Sequence, residues 1–173
     1  ECLLKSRRKE HMTILGIDPG TATIGYGLVK KTGTKKLSRL FCLAQGLITT
    51  SPNLIFPRRL EKISHELRKI LRQYQPDLVA IESLFFFRNL KTFIPVSRAS
   101  GVIILEVSRL RIPLVEFTPM QVKSRVANYG RAEKKDVQKS IQRILGLKKL
   151  PEPDDVADAL GVALCAALSP LDR

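Results

Sequence analysis

Acidic residues are scarce in this chain, cysteines are few and scattered, and no apolar run is long. Sixteen Asp plus Glu stand against thirty Lys plus Arg in 173 residues, a net charge of +14. A compact protein with that imbalance attracts polyanions, nucleic acid above all. No run approaches the roughly eighteen apolar residues that a membrane-spanning helix needs, and no basic amphipathic helix stands apart from the core pattern. A membrane surface is therefore well behind nucleic acid as the partner. Cys2, Cys42 and Cys165 are odd in number and far apart, which argues against a disulfide framework and a zinc site and fits a reducing, cytosolic setting. Repeats and low-complexity segments are absent as well. Residues 1–11 are too short and too charged for a secretory signal and read as a disordered leader before Met12. Residues 12–173 then form a single domain, long enough to bury about 70% of its unfolded surface.

The pattern that remains starts with Thr13 to Asp18, a short apolar run that ends on a carboxylate and breaks at Pro19-Gly20. Thr23 to Val29 reads as a second strand that pairs with the first as a hairpin, and Gly25 and Gly27 leave room for close backbone approach beside the acid. The spacing predicts strands over 13–18, 23–31 and about 37–49 as an antiparallel meander, with Lys30 to Lys36 as a basic hairpin tip. From Pro57, Leu60, Ile63, Leu67, Ile70 and Leu71 share one face of a helix that stops before Pro76. Leu78 to Glu82 is a second strand with an acid at its end, parallel to the first through the intervening helix. A helix over 93–109 is apolar most of the way round, so it must be covered twice; a fifth strand follows at 113–117. Helices then run from Pro119 to about Ala127, from Lys134 to Leu145 and from Asp154 through Leu168. The fold class is α/β, a five-stranded mixed sheet of three antiparallel and then two parallel strands, with helices on both faces.

Parallel neighbours put Asp18 and Glu82 at one edge of the sheet, each at a carboxyl end. Asp155 and Asp158, at i and i+3, share one face in the first turn of the last helix. Each acid alone has a plainer role: Asp18 as a turn former, Glu82 as a surface strand end, Asp155 and Asp158 as capping and dipole compensation. Jointly, in so basic a chain, they point to a site. Four convergent carboxylates repel one another, and hard divalent cations such as Mg²⁺ or Mn²⁺ are the natural counterpart. Two ions about 4 Å apart activate water and stabilise the leaving oxygen of a phosphodiester, so the implied reaction is phosphoryl hydrolysis.

Gly16-Ile17-Asp18-Pro19-Gly20 with Gly25 and Gly27, Ile81-Glu82-Ser83-Leu84-Phe85, Gln121-Val122-Lys123, Ala132-Glu133-Lys134 and Asp155-Val156-Ala157-Asp158-Ala159-Leu160 follow one another in an order and spacing that resemble the RuvC family of bacterial Holliday-junction resolvases. The resemblance covers roughly Thr13 to Leu168. It implies a ribonuclease-H-like fold and a homodimeric crossover junction endodeoxyribonuclease that uses two Mg²⁺ ions per site, with Mn²⁺ as a substitute. It further implies four-way junction DNA as substrate, a branch-migration helicase complex as partner, and the bacterial cytoplasm near the nucleoid as location. By the same resemblance Asp18, Glu82, Asp155 and Asp158 are the catalytic, metal-binding set, Phe85 contacts bases at the junction centre, and Lys123 and Lys134 lie near the scissile phosphate. The plainer alternatives are core packing for Phe85, since Phe86 and Phe87 follow it, and solvation for the lysines. Arg98-Ala99-Ser100-Gly101 stands where the family reads Gln-Ala-Arg-Gly, which moves the guanidinium about 200° around its helix. Helix 93–109 has more apolar faces than one sheet covers, and a twofold homodimer would pair it with its copy, with Ile103 on the contact. A ribonuclease H acting on hybrids and a basic nucleic-acid-binding protein without catalysis are the alternatives. The motif order argues against the first, and four convergent acids against the second.

Overall fold

Period-two alternation along the strands and apolar stripes on the helices give a sheet with helices on both faces. The computed structural model describes residues 11–34, 37–84 and 90–169. Its strands are β1 (His11–Asp18), β2 (Thr23–Thr34), β3 (Leu37–Thr49), β4 (Leu78–Glu82) and β5 (Leu114–Phe117), in the order β3-β2-β1-β4-β5. The pairs β1–β2 and β2–β3 are antiparallel, and β1–β4 and β4–β5 are parallel, the expected arrangement. β1 opens at His11, two residues before the apolar pattern starts; the rest of the expected leader lies outside the described residues. Lys30 and Lys31 belong to β2 rather than to a hairpin tip, paired with Phe41 and Leu40. Lys31 is usable there because its stem lies along the sheet while its ammonium donates to the Ala167 carbonyl at 2.6 Å, near the C-terminus of the last helix.

The helices are α1 (Phe56–Tyr74), α2 (Leu90–Arg109), α3 (Pro119–Ala127), α4 (Lys134–Leu145) and α5 (Asp154–Leu168). Alternation divides the core in two. Ile14, Leu78 and Ala80 face a cluster built with α3, α4 and α5, whereas Leu15, Ile17, Val79 and Ile81 face one built with α1 and α2. Successive strand residues point to opposite faces, so Asp18 and Glu82 fall on the same side as Ile14 and Ala80, the α5 side. α5 lies directly on that face: a Cβ on Gly16 would sit 2.1 Å from the Ala159 carbonyl oxygen, and one on Gly25 would sit 1.8 Å from that of Asp155. These two glycines set the depth of α5, and with it the height of its acids above the strand ends.

α2 differs from expectation in its phase. Ala99, Ile103 and Val107, spaced by four, are buried against α1 and the sheet, with Ile103 only 1% exposed. Ile103 is therefore part of the subunit's own core and not of an outer contact. The opposite stripe carries Ile94, Arg98, Gly101 and Leu105; Ile94 and Leu105 are about half exposed, and nothing lies within 4 Å of a Cβ placed on Gly101. Helix periodicity alone gave no phase here, because apolar residues occupy both stripes. Among the described residues no helix is long and apolar enough to cross a membrane.

Candidate active site

The registers fix the floor of the site. Ile17 pairs with Ile81 and Asp18 with Gly25, so Asp18 and Glu82 end neighbouring parallel strands while β2 leaves a side-chain-free position next to Asp18. α5 enters over that gap. Pro153 precedes it as a cap residue without a side-chain hydrogen bond, and the acids of its first turn are left to other partners. The Thr23 hydroxyl donates to Asp155 Oδ2 at 2.6 Å. Lys134, the first residue of α4, places its ammonium 3.2 Å from Asp154 Oδ2 and 3.2 Å from Asp158 Oδ2. The Gln138 amide, one turn further along, donates to Asp154 Oδ1. A cleft of about 220 Å³ opens beside these groups, lined by Glu82, Asp158, Lys123 and Lys134 with Pro119, Val122 and Val137 as its apolar wall.

The crowding shows in the direction of each titration. Burial first, and then the carboxylates of Glu82, Asp158 and Asp155, together push Asp18 from 3.8 up to about 8 against the pull of Lys134. Glu82 rises from 4.5 to about 7, by burial and by Asp158, against a hydrogen bond from Asp18. Asp158 is also raised by burial, with Lys134 opposing. Burial alone would lower Lys134, but its hydrogen bond to Asp154 and the Asp158 charge hold it above the ordinary lysine range. Like charges crowded away from water behave this way when no cation compensates them. The donors are carboxylate oxygens, the set that hard divalent ions prefer. As the side chains stand, no group of three His, Cys, Asp or Glu among the described residues is closed tightly enough to hold an ion.

All four acids of the sequence reading thus meet at one edge, and Lys123 and Lys134 line the same cleft. Phe85 lies outside the described residues. Thr23, Asp154 and Gln138 escaped the sequence reading because their partners are separated from them by up to 132 residues. Period-two alternation along β2 was the one signal for Thr23, since it places that residue on the same face as Gly25.

The family model described as crossover junction endodeoxyribonuclease RuvC matches residues 14–166. The chain belongs to the RuvC family. A protein of Thermosipho melanesiensis named crossover junction endodeoxyribonuclease RuvC is 48% identical over 157 residues, which cover 91% of this chain and 98% of that relative. One of the same name from Syntrophomonas wolfei is 49% identical over 154 residues, 89% of this chain and 87% of the relative. Among solved structures, Thermus thermophilus RuvC superposes with a TM-score of 0.84 at 33% identity, covering 91% of this chain and 94% of that one. T. thermophilus RuvC in complex with Holliday junction substrate gives 0.83 at 34%, covering 91% and 93%. The RuvC-family chain accordingly has the ribonuclease-H-like fold.

Proposed function

We propose that this chain is a structure-selective endonuclease that resolves four-way DNA junctions by paired, symmetric, Mg²⁺-dependent phosphodiester hydrolysis in recombination and repair. One observation carries the reading: in a RuvC-family chain of net charge +14, four carboxylates converge at the strand ends and remain under-neutralised. Asp18, Glu82, Asp155 and Asp158 would hold two Mg²⁺ ions, and Mn²⁺ in their place. When bound, such ions supply an activated water and charge stabilisation at the leaving oxygen. Lys123 and Lys134 face the same cleft and hold the phosphate beside the acids. Pro119, Val122 and Val137 form the apolar wall of that cleft. Phe85, three residues past Glu82, is assigned to the bases at the junction centre.

A junction with twofold symmetry calls for two sites related by a twofold axis, and the open α2 stripe of Ile94, Gly101 and Leu105 is the surface for a homodimer. Leu105→Glu would place like charges across that axis, and we expect a shift toward monomer in sedimentation with loss of paired incision. A dimer of undiminished stability would move the contact elsewhere. Residues 12–173 act as the nuclease domain, in the cytoplasm, with a branch-migration helicase complex as partner. The deciding assay is cleavage of labelled four-way junction, RNA–DNA hybrid and duplex with and without Mg²⁺. Symmetric junction cuts only with Mg²⁺ support the proposal; preferential hybrid cleavage indicates a ribonuclease H instead, and binding without cleavage a non-catalytic protein.

A further inference from the structure

We infer that Thr23 is a positioning residue whose hydroxyl fixes the Asp155 carboxylate for cation binding, an inference that rests on the metal-site reading above. Asp155 is anchored twice, both times by β2. Its main chain is seated on Gly25, where a Cβ would lie 1.8 Å from the Asp155 carbonyl oxygen, and its Oδ2 accepts the Thr23 hydroxyl at 2.6 Å. Thr23 and Gly25 are two residues apart on one strand, hence on one face, so the backbone seat and the side-chain tether act from the same side. A hydroxyl bonded to a carboxylate at this length is a charge-assisted bond, stronger than a neutral one. With Oδ2 engaged, the carboxylate plane is set and Oδ1 is left for a cation.

The turn that delivers Thr23 is itself held from behind. Thr50 is 6% exposed; its amide donates to Ala22 O at 2.9 Å and its hydroxyl to Thr21 O at 2.5 Å. Arg59 Nε of α1 donates to the same hydroxyl oxygen at 2.9 Å, so the Thr50 proton has one direction left to point. A chain of contacts therefore runs from α1 through Thr50 to residues 21–23 and ends on Asp155. Nothing in ordinary helix capping asks for it, since Asp155 is tied to a strand 132 residues away rather than to the amides of its own helix. Outer partners that orient metal ligands commonly contribute about 10- to 100-fold in metal affinity.

The test measures Mn²⁺ binding to the full chain by electron paramagnetic resonance, without DNA, alongside metal-free melting. Thr23→Val keeps the shape and removes the hydroxyl; Thr23→Ser keeps the hydroxyl. We expect about 10- to 100-fold weaker binding for Thr23→Val with a fall of no more than a few degrees in the metal-free melting temperature, and near wild-type binding for Thr23→Ser. In an Asp155→Ala background Thr23→Val should have no further effect. If the Val variant fails to fold, Thr23→Ala is held to the same expectations. Wild-type affinity in Thr23→Val, equal loss in Thr23→Ser, or an undiminished effect in the Asp155→Ala background would each overturn the inference. A wild type that binds no Mn²⁺ would remove the metal-site reading itself, a result distinct from any of these.

Discussion

At the α1–α2 interface Glu106 is 3% exposed, yet the Arg68 guanidinium contacts both of its oxygens, Ser64 donates to it and Arg109 adds a third donor. Those partners outweigh burial and hold its pKa down at about 2. At the sheet edge Asp18 and Glu82 are driven the other way, to about 8 and about 7, because burial and neighbouring carboxylates outweigh the distant lysine charges and the hydrogen bond between the two acids. Cations are abundant in this chain, so the contrast is one of placement. A planar guanidinium fork on α1 meets Glu106 at hydrogen-bond distance, whereas Lys134 spends its ammonium on Asp154 and Asp158. An edge left short of positive charge is destabilised when empty, and that deficit is what a bound divalent ion would relieve.

Neutralising Asp18 breaks the contrast most directly. Asp18→Asn should lower junction cleavage by about three orders of magnitude or more while leaving junction binding intact or improved, since a negative charge near phosphates is gone. The same change should raise the metal-free melting temperature at pH 8 and shrink the further gain from millimolar Mg²⁺. Near-normal Mg²⁺-dependent cutting by the variant would refute the metal site.

Titration sharpens the contrast, because the two regions respond in opposite directions. The folded pKa of Asp18 and of Glu82 lies above the unfolded value, so their contribution is fully present below about pH 4 and is lost as pH rises toward about 8. Glu106 lies below its unfolded value of 4.5, so its contribution is present above that pH and is lost as pH falls toward 2. Metal-free protein should therefore melt highest near pH 4, with an alkaline loss on the order of a few kcal/mol, at about 2 to 4 °C per kcal/mol. Mg²⁺ should lift the alkaline flank alone, and Asp18→Asn should flatten it. A melting profile level from pH 5 to 8.5 in chelator would contradict the crowding of these acids.

Much of this was legible in the sequence, and the rest was hidden for identifiable reasons. The strand order followed from short apolar runs at β1, β2, β4 and β5, because burial on both faces requires such runs. Gly25 and Gly27 announced a close approach, but not that α5 makes it, since that contact joins segments 130 or more residues apart. Ile103 was placed on the wrong side of α2 because both stripes of that helix are apolar, and only the burial of Ala99, Ile103 and Val107 shows which one faces inward. Local spacing put Asp155 and Asp158 on one face because both lie near the start of one helix, and α5 carries them there. Thr23 carries no mark beyond its place in β2 two residues before Gly25, since its partner Asp155 is 132 residues away.

A smaller effect is expected at the well-compensated pole. Glu106→Ala removes hydrogen bonds to Arg68, Ser64 and Arg109, but both guanidinium groups reach water and can be rehydrated. A loss of about 2 kcal/mol in stability follows, with the acid flank of the melting profile shifted to lower pH. Cleavage by the folded variant should be retained, because Glu106 lies with the α1–α2 core and not at the sheet edge. An undiminished acid flank would mean that groups other than Glu106 set it.

The smallest and most discriminating change is at Lys134, whose ammonium is half exposed and shared between Asp154 and Asp158. Exposed pairs of this kind contribute only about 0.2 to 1 kcal/mol, so Lys134→Ala should barely move the melting temperature. Its effect belongs on DNA: if the ammonium leaves Asp158 for a phosphate, the slope of log affinity against log salt should flatten by about 0.9. Lys134→Arg then separates charge from geometry. A guanidinium keeps the charge and should preserve the salt slope, but its fork can grip the acids as Arg68 grips Glu106 and hold the edge neutralised. Mg²⁺ should in that case stabilise Lys134→Arg less than wild type, with slower cutting at equal affinity. Equal Mg²⁺ response in the two proteins would show that the under-neutralised edge owes nothing to the choice of lysine at position 134.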